Sequence, residues 1–146
     1  MKLAIVDDNK LEQELIFNTL RTYEHERNIS IDISSYSDGN SFLNTYVPGD
    51  FDLIFMDAAK GQYIHFLDDV LRLLAPEGVL VSDNVLQDGD VARSRYAIER
   101  RDRTIHKRMR DYLYTSKNHP QLETTILPVG DGVAISIKMG ESNERR

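Results

Sequence analysis

The chain has 146 residues, no cysteine and a formal net charge of −6. Its length suits one domain that buries roughly 68–70% of its unfolded surface, and without cysteine there is no disulfide framework, thiolate metal site or cysteine nucleophile. No apolar run approaches the roughly 20 residues that span a bilayer, and Met1-Lys2-Leu3 leads straight into a short strand instead of a leader, so a cytoplasmic protein is expected.

Residues 2–7 are a short apolar run that ends in carboxylates, the pattern of a buried parallel strand. Asn9 is placed to cap a helix with Leu11, Leu15, Ile16 and Leu20 on its inner face. Ile29, Ile31 and Ile33 alternate with Ser30 and Asp32, which is strand periodicity. Asp38-Gly39 opens a short helix with Phe42, Leu43 and Tyr46 inward, Pro48-Gly49-Asp50 ends it, and 51–56 is a third buried strand. A helix over 63–74 follows, with Ile64, Leu67, Val70, Leu71 and Leu74 as its inner stripe. Pro76-Glu77-Gly78 makes a turn into a fourth strand, 79–82. A long helix is predicted from 91 to 116, carried by Ile98, Ile105, Met109 and Tyr112. Strands at 123–129 and 133–139 flank Gly130-Asp131-Gly132 and must form an antiparallel hairpin.

Strands alternating with helices predict an α/β fold, a three-layer doubly wound and mostly parallel sheet. The expected strand order is 2-1-3-4-6-5, with the last strand antiparallel beside the fourth. One domain over 1–146 is expected, with 140–146 as a frayed tail. The crevice at the carboxyl ends of strands 1 and 3 is where such sheets bind ligands.

Charge is unevenly spread. Residues 1–57 carry eleven acids against four bases, whereas from Arg93 to Arg110 there are eight bases against Glu99 and Asp102. A basic helix of this kind touches RNA in some proteins. More often it is a solvated face, and the acidic front half opposes nucleic-acid affinity, so neither nucleic acid nor membrane is expected as a partner and a monomer is expected. His25, His65, His106 and His119 show no metal-ligand spacing.

Two motif sets share one aspartate. Ile5-Val6-Asp7-Asp8 and Leu53-Ile54-Phe55-Met56-Asp57 resemble the receiver domain of bacterial response regulators, in particular those that precede a LytTR-type DNA-binding domain. That resemblance, over about residues 1–50, implies a flavodoxin-like fold, Mg²⁺ held by Asp7 and Asp8, Asp57 as phosphoacceptor and Ser82 in the place of the family's Thr or Ser. The phosphate-contacting lysine of that family has no counterpart, because Lys138 ends a strand that runs backwards. Asp57-Ala58-Ala59-Lys60-Gly61-Gln62-Tyr63, then Ser82-Asp83-Asn84, then Pro128-Val129-Gly130-Asp131-Gly132 resemble the cation-dependent O-methyltransferases of the caffeoyl-CoA and catechol type, closest to bacterial tRNA hydroxyuridine methyltransferases. This second resemblance covers about residues 51–139 and implies a Rossmann-like half with Asp57, Asp83 and Asn84 as metal ligands, the acids 83 − 57 = 26 positions apart. Such enzymes hold S-adenosylmethionine on a glycine-rich turn after their first strand. Here the turn is Asp7-Asp8-Asn9-Lys10, so S-adenosylmethionine is not expected to bind.

Together the two resemblances imply a chimera, natural or engineered, joined somewhere in 46–57. The expected function is an α/β scaffold without native catalytic activity that keeps an acidic pocket for Mg²⁺ or Ca²⁺ made by Asp7, Asp8, Asp57, Asp83 and Asn84. A phosphoreceiver and a metal-dependent O-methyltransferase fragment are the alternatives.

Overall fold

The computed structural model describes residues 2–6, 9–57, 59, 61–87 and 89–140. Strand β1 (Lys2–Val6) pairs in parallel with β2 (Asp32–Tyr36), Lys2 opposite Asp32 and Val6 opposite Tyr36. Helix α1 (Lys10–Arg27) connects them. Asn9 caps it as expected, its Oδ1 accepting from the Leu11 N–H at 3.0 Å, and Asn28 closes it in the left-handed conformation at φ 52°. The expected inner stripe is not buried: α1 has no buried residue, and Leu11 and Leu15 are 76% and 64% exposed. The apolar spacing is helical, but among the described residues α1 is half-buried at Gln13, Phe17 and Leu20 and leaves Leu11, Leu15 and Ile16 exposed. Ile29 also lies outside its predicted strand and is exposed, while Ile31 is buried.

Helix α2 (Gly39–Leu43) leads through the Gly49 turn to β3 (Phe51–Met56). Next come α3 (Tyr63–Leu73) and β4 (Leu74–Ser82), and β4 pairs in parallel with β3. The expected turn at Pro76-Glu77-Gly78 lies inside β4 as an irregularity in the register, with Glu77 at φ 65°. The single helix expected over 91–116 is three pieces: 3₁₀ turns at Asp90–Ala92 and Arg95–Ala97, then α4 (Arg103–Asn118). Of the stripe predicted for this helix, Ile98 is buried but lies one residue past the second 3₁₀ turn, so its spacing of seven to Ile105 does not reflect a continuous helix. Strands β5 (Leu122–Leu127) and β6 (Val133–Lys138) form the expected antiparallel hairpin.

The strand orders are β1-β2 and β3-β4-β6-β5. Each neighbour within these sets is the expected one, and β6 is antiparallel to β4. The single continuous sheet is not observed: β1 lies beside β3, but no ladder joins them among the described residues. Side chains hold this seam instead. Lys2 Nζ reaches Asp50 Oδ2 at 3.1 Å and sits 4.7 Å from the Tyr46 ring centre. The rings of Tyr36, Phe42, Tyr46 and Phe51 pack edge-on or tilted, with Tyr46 and Phe51 4.7 Å apart.

Helices α3 and α4 cover one face of the four-stranded sheet. Leu67, Leu71, Met109 and Tyr112 pack there against Leu80 and Ala134. That face is partly polar, and its hydroxyls are paired inside: Thr124 Oγ1 donates to the Ser116 carbonyl at 2.9 Å and meets Ser136 Oγ at 2.8 Å. The opposite face is different. Leu53 and Phe55 on β3 adjoin Val79 and Val81 on β4, which adjoin Ile137 and Ile135 on β6. Leu53, Phe55 and Ile137 are 42%, 59% and 42% exposed. No helix of the described residues is long and apolar enough to cross a membrane.

Candidate functional site

Asp57 follows the last residue of β3, and Asp83-Asn84 follows the last residue of β4. Because Met56 pairs with Ser82 in a parallel ladder, both chain ends emerge at the same carboxyl edge. The Asp83 N–H donates to the Met56 carbonyl at 3.1 Å, extending the pairing by one step. Asp57 is exposed, Asp83 and Asn84 are half-buried, and Asn84 Nδ2 lies 3.4 Å from Asp57 Oδ1. The Asn84 backbone is left-handed at φ 55°, which directs its amide back across the strand ends.

Several groups fix this geometry. Tyr63 is buried at the start of α3, and its hydroxyl donates to the Asp83 carbonyl at 2.9 Å. The Asp83 carboxylate accepts from the Asn84 N–H at 2.7 Å. The hairpin loop closes the other side, where the Val85 N–H donates to the Gly132 carbonyl at 2.9 Å and the Leu86 N–H to the Asp131 carbonyl at 2.7 Å. Gly132 has φ 86°, and a Cβ there would collide with the Leu86 side chain. From α4, Arg108 Nη1 approaches the Gly61 carbonyl at 3.4 Å and so braces the segment after Asp57.

Of the expected ligands, Asp57, Asp83 and Asn84 are thus brought together. Asp7 and Asp8 lie outside the described residues. Among the described residues no three His, Asp or Glu side chains gather closely enough to cage an ion. Ser82 does not serve as a reacting hydroxyl: it is fully buried and bonded to the Tyr112 hydroxyl at 2.5 Å. Alternation along β4 puts it beside Leu80 on the helix-covered face. Lys138 lies at the far edge of the sheet, as its reversed strand predicts, with Nζ donating to the Leu71 and Leu74 carbonyls at 2.7 Å. The basic stretch from Arg93 to Arg110 is partly neutralised, with Arg93 against Asp90, Arg101 against Glu99 and Asp102, and Lys107 against Asp111. The brace from Tyr63 and the Gly132–Leu86 fit were not read from sequence. The signal for the first was a tyrosine on an otherwise aliphatic stripe.

The donor set suits a hard cation. Two carboxylates and a carboxamide are oxygen ligands of the kind Mg²⁺ and Ca²⁺ take, and Mg²⁺ keeps several waters beside one or two carboxylates. A half-turn of the Asn84 amide exchanges Nδ2 for Oδ1 at the same point facing Asp57.

A family model described as "O-methyltransferase" matches residues 2–139. Tricin synthase 2 of Oryza sativa subsp. japonica is 34% identical over 97 residues, which cover 66% of this chain and 33% of that protein. The chain spans a third to under half of the length of the curated relatives it matches, from 33% to 45%. Among solved structures, a Corynebacterium glutamicum protein superposes with a TM-score of 0.74 at 18% identity, over 99% of this chain and 63% of that one. The O-methyltransferase from Bacillus cereus in complex with SAH superposes with a TM-score of 0.64 at 19% identity, over 95% of this chain and 62% of that one.

These likenesses bear on two expectations. The family match runs unbroken through the join expected in 46–57, so nothing supports a receiver half or a chimera. The expectation that S-adenosylmethionine has no place here finds no support, since the Bacillus cereus enzyme that shares the fold is in complex with SAH. The fold is the α/β Rossmann-like one of the methyltransferases with a mixed sheet, and the chain belongs to the O-methyltransferase family.

Proposed function

We propose that the chain is the cation-binding portion of an O-methyltransferase, with Asp57, Asp83 and Asn84 as ligands of a divalent cation and an acceptor hydroxyl directed to them. The observation that carries this reading is the approach of Asn84 Nδ2 to Asp57 Oδ1 across two parallel strand ends, 3.4 Å apart, with the Asp83 N–H on the Met56 carbonyl. A cation held there would polarise the acceptor oxygen and ease its deprotonation. Asp57 supplies the exposed carboxylate, Asp83 a carboxylate fixed by its neighbour's N–H, and Asn84 a neutral oxygen that limits the summed negative charge. Tyr63 and the hairpin loop hold these three in place. S-adenosylmethionine is the proposed donor because the family uses methyl transfer and a fold relative holds SAH. The sequence after β1, Asp7-Asp8-Asn9-Lys10, holds no glycine, and no described residue is assigned to the donor. Relatives named caffeoyl-CoA O-methyltransferase and flavonoid 3',5'-methyltransferase make a phenolic hydroxyl the acceptor to try first.

The test has two readouts. Calorimetric titration with Mg²⁺ and Mn²⁺ should show binding that Asp57→Asn and Asp83→Asn each weaken by at least about tenfold, the usual order for losing a charged ligand. Release of SAH from S-adenosylmethionine and a caffeoyl thioester should need the cation and fall in both variants. Binding unchanged in both variants, or methyl transfer that ignores chelator, would overturn the reading.

A further inference from the structure

The peptide that joins Asp83 to Asn84 is shared by two of the three proposed cation ligands, and both of its polar ends are held. Its carbonyl accepts from the Tyr63 hydroxyl at 2.9 Å. Its N–H donates to Asp83 Oδ1 at 2.7 Å. The same buried hydroxyl lies 3.5 Å from the Met56 carbonyl, which accepts from the Asp83 N–H at 3.1 Å. One phenol thus sits against the residue before Asp57 and against Asp83 itself. Its ring is fixed as well, edge-on to Tyr112 with 5.4 Å between centres, inside the main apolar core.

The conformation so held is a strained one. Asn84 has φ 55°, in the left-handed region that penalises a side chain, asparagine less than most. Rotating the 83–84 peptide by half a turn would return Asn84 to an extended φ and relieve that strain. It would also swing the amide away from Asp57, whose Oδ1 is 3.4 Å from Nδ2. The Tyr63 bond opposes this rotation, because it would leave a buried hydroxyl without its acceptor. Such strain persists where the surroundings over-determine it.

We propose that Tyr63 is a positioning residue for the cation, and that its hydroxyl, by locking the Asp83–Asn84 peptide, makes the site select Mg²⁺ over Ca²⁺. The inference rests on the cation-site reading above and adds what decides the ion. Mg²⁺ demands near-ideal octahedral geometry at about 2.0–2.1 Å, whereas Ca²⁺ accepts irregular shells at about 2.3–2.6 Å. Three protein donors with water completing the shell suit Mg²⁺, which dehydrates reluctantly, and offer Ca²⁺ few of the oxygens it takes. Donors whose directions are fixed through one peptide favour the ion that tolerates least distortion. Donors set free favour the ion that tolerates most. Tyr63 acts through the backbone of the ligands and is not a ligand itself.

Tyr112 supplies a matched control. Its hydroxyl is equally buried and meets the Ser82 side chain at 2.5 Å, one residue before Asp83, but holds no part of the 83–84 peptide. Calorimetric titration of the full chain with Mg²⁺ alone and with Ca²⁺ alone tests the inference. The unaltered protein should bind Mg²⁺ more tightly than Ca²⁺. Tyr63→Phe should weaken Mg²⁺ by about tenfold or more, the usual order for losing a group that orients a ligand, and Ca²⁺ by less than about threefold. Tyr112→Phe should lower the melting temperature and leave the ratio of the two affinities unchanged. If Tyr63→Phe weakens both ions alike or neither, or if Tyr112→Phe moves the ratio as far, the inference is overturned and the cation-site reading stands. No heat from either ion in the unaltered chain overturns both. Should Tyr63→Phe fail to fold, the unaltered chain decides, and Ca²⁺ bound as tightly as Mg²⁺ overturns the inference.

Discussion

Tyr112 and Gly132 show how far single residues set the behaviour of this fold. The Tyr112 ring lies 5.4 Å from that of Tyr63, and its hydroxyl meets Ser82 Oγ at 2.5 Å in a fully buried setting. Burial raises its pKa above the ordinary 10.0, while hydrogen bonds to Ser82 and Ser116 pull the other way. The native state therefore keeps this proton longer than the unfolded chain does. The stability it contributes is complete below pH about 10 and is lost as pH rises through the folded value. Tyr112→Phe should cost about 1–3 kcal/mol at neutral pH, because Ser82 is left with an unpaired buried hydroxyl. It should also flatten the alkaline fall in stability, and urea melts on either side of pH about 10 measure both effects. Gly132→Ala should cost at least about 2 kcal/mol, from a left-handed backbone plus the collision with Leu86. Gly130→Ala, at φ 54° in open space, should cost about 1 kcal/mol. Thermal melts compare the two, and only Gly132→Ala should also weaken cation binding, because its carbonyl holds the segment after Asn84. At this scale the placing of Asp57 and Asp83-Asn84 at one edge of the sheet was legible, because each follows an apolar strand run. The burial of Ser82 was equally written there, since it shares its face with Leu80, but the resemblance to a receiver domain put it in the place of that family's Thr or Ser.

Elements were legible wherever an apolar run was short and bounded. β3 occupies 51–56 as expected, α3 ends one residue before the expected boundary, and the hairpin follows from its three-residue loop. The misjudged elements are those where spacing alone was trusted. In α1 the helical stripe is left largely exposed among the described residues, and before α4 the chain makes two 3₁₀ turns, with Ile98 of the expected stripe just past the second. The same lesson governs α4 itself, where Ile105 belonged to the expected inner stripe but is 39% exposed, while Met109 has no exposure. Met109→Ala should therefore destabilise by about 2–5 kcal/mol, and Ile105→Ala by less than about 1 kcal/mol. Equal losses in chemical denaturation would show that the helix face has been wrongly assigned.

Across the whole molecule the strand order was readable from connectivity, but continuity of the sheet was not. Ladder formation between β1 and β3 depends on backbone approach, and the seam is instead filled by four aromatic rings and Lys2. The two strand sets should then differ in protection. Amides of β1 and β2 should exchange hydrogen at least about tenfold faster than those of β4 and β6, as smaller cooperative units open more readily. Uniform protection in native-state exchange would mean that the two sets open as one. The hairpin has a further consequence for biosynthesis. Because β6 lies between β4 and β5, its residues leave the ribosome after both neighbours have been made. The nascent polypeptide thus holds an open slot until Lys138 has emerged, and closing that slot, with the lysine ammonium docking on the Leu71 and Leu74 carbonyls, completes the sheet in a single late insertion.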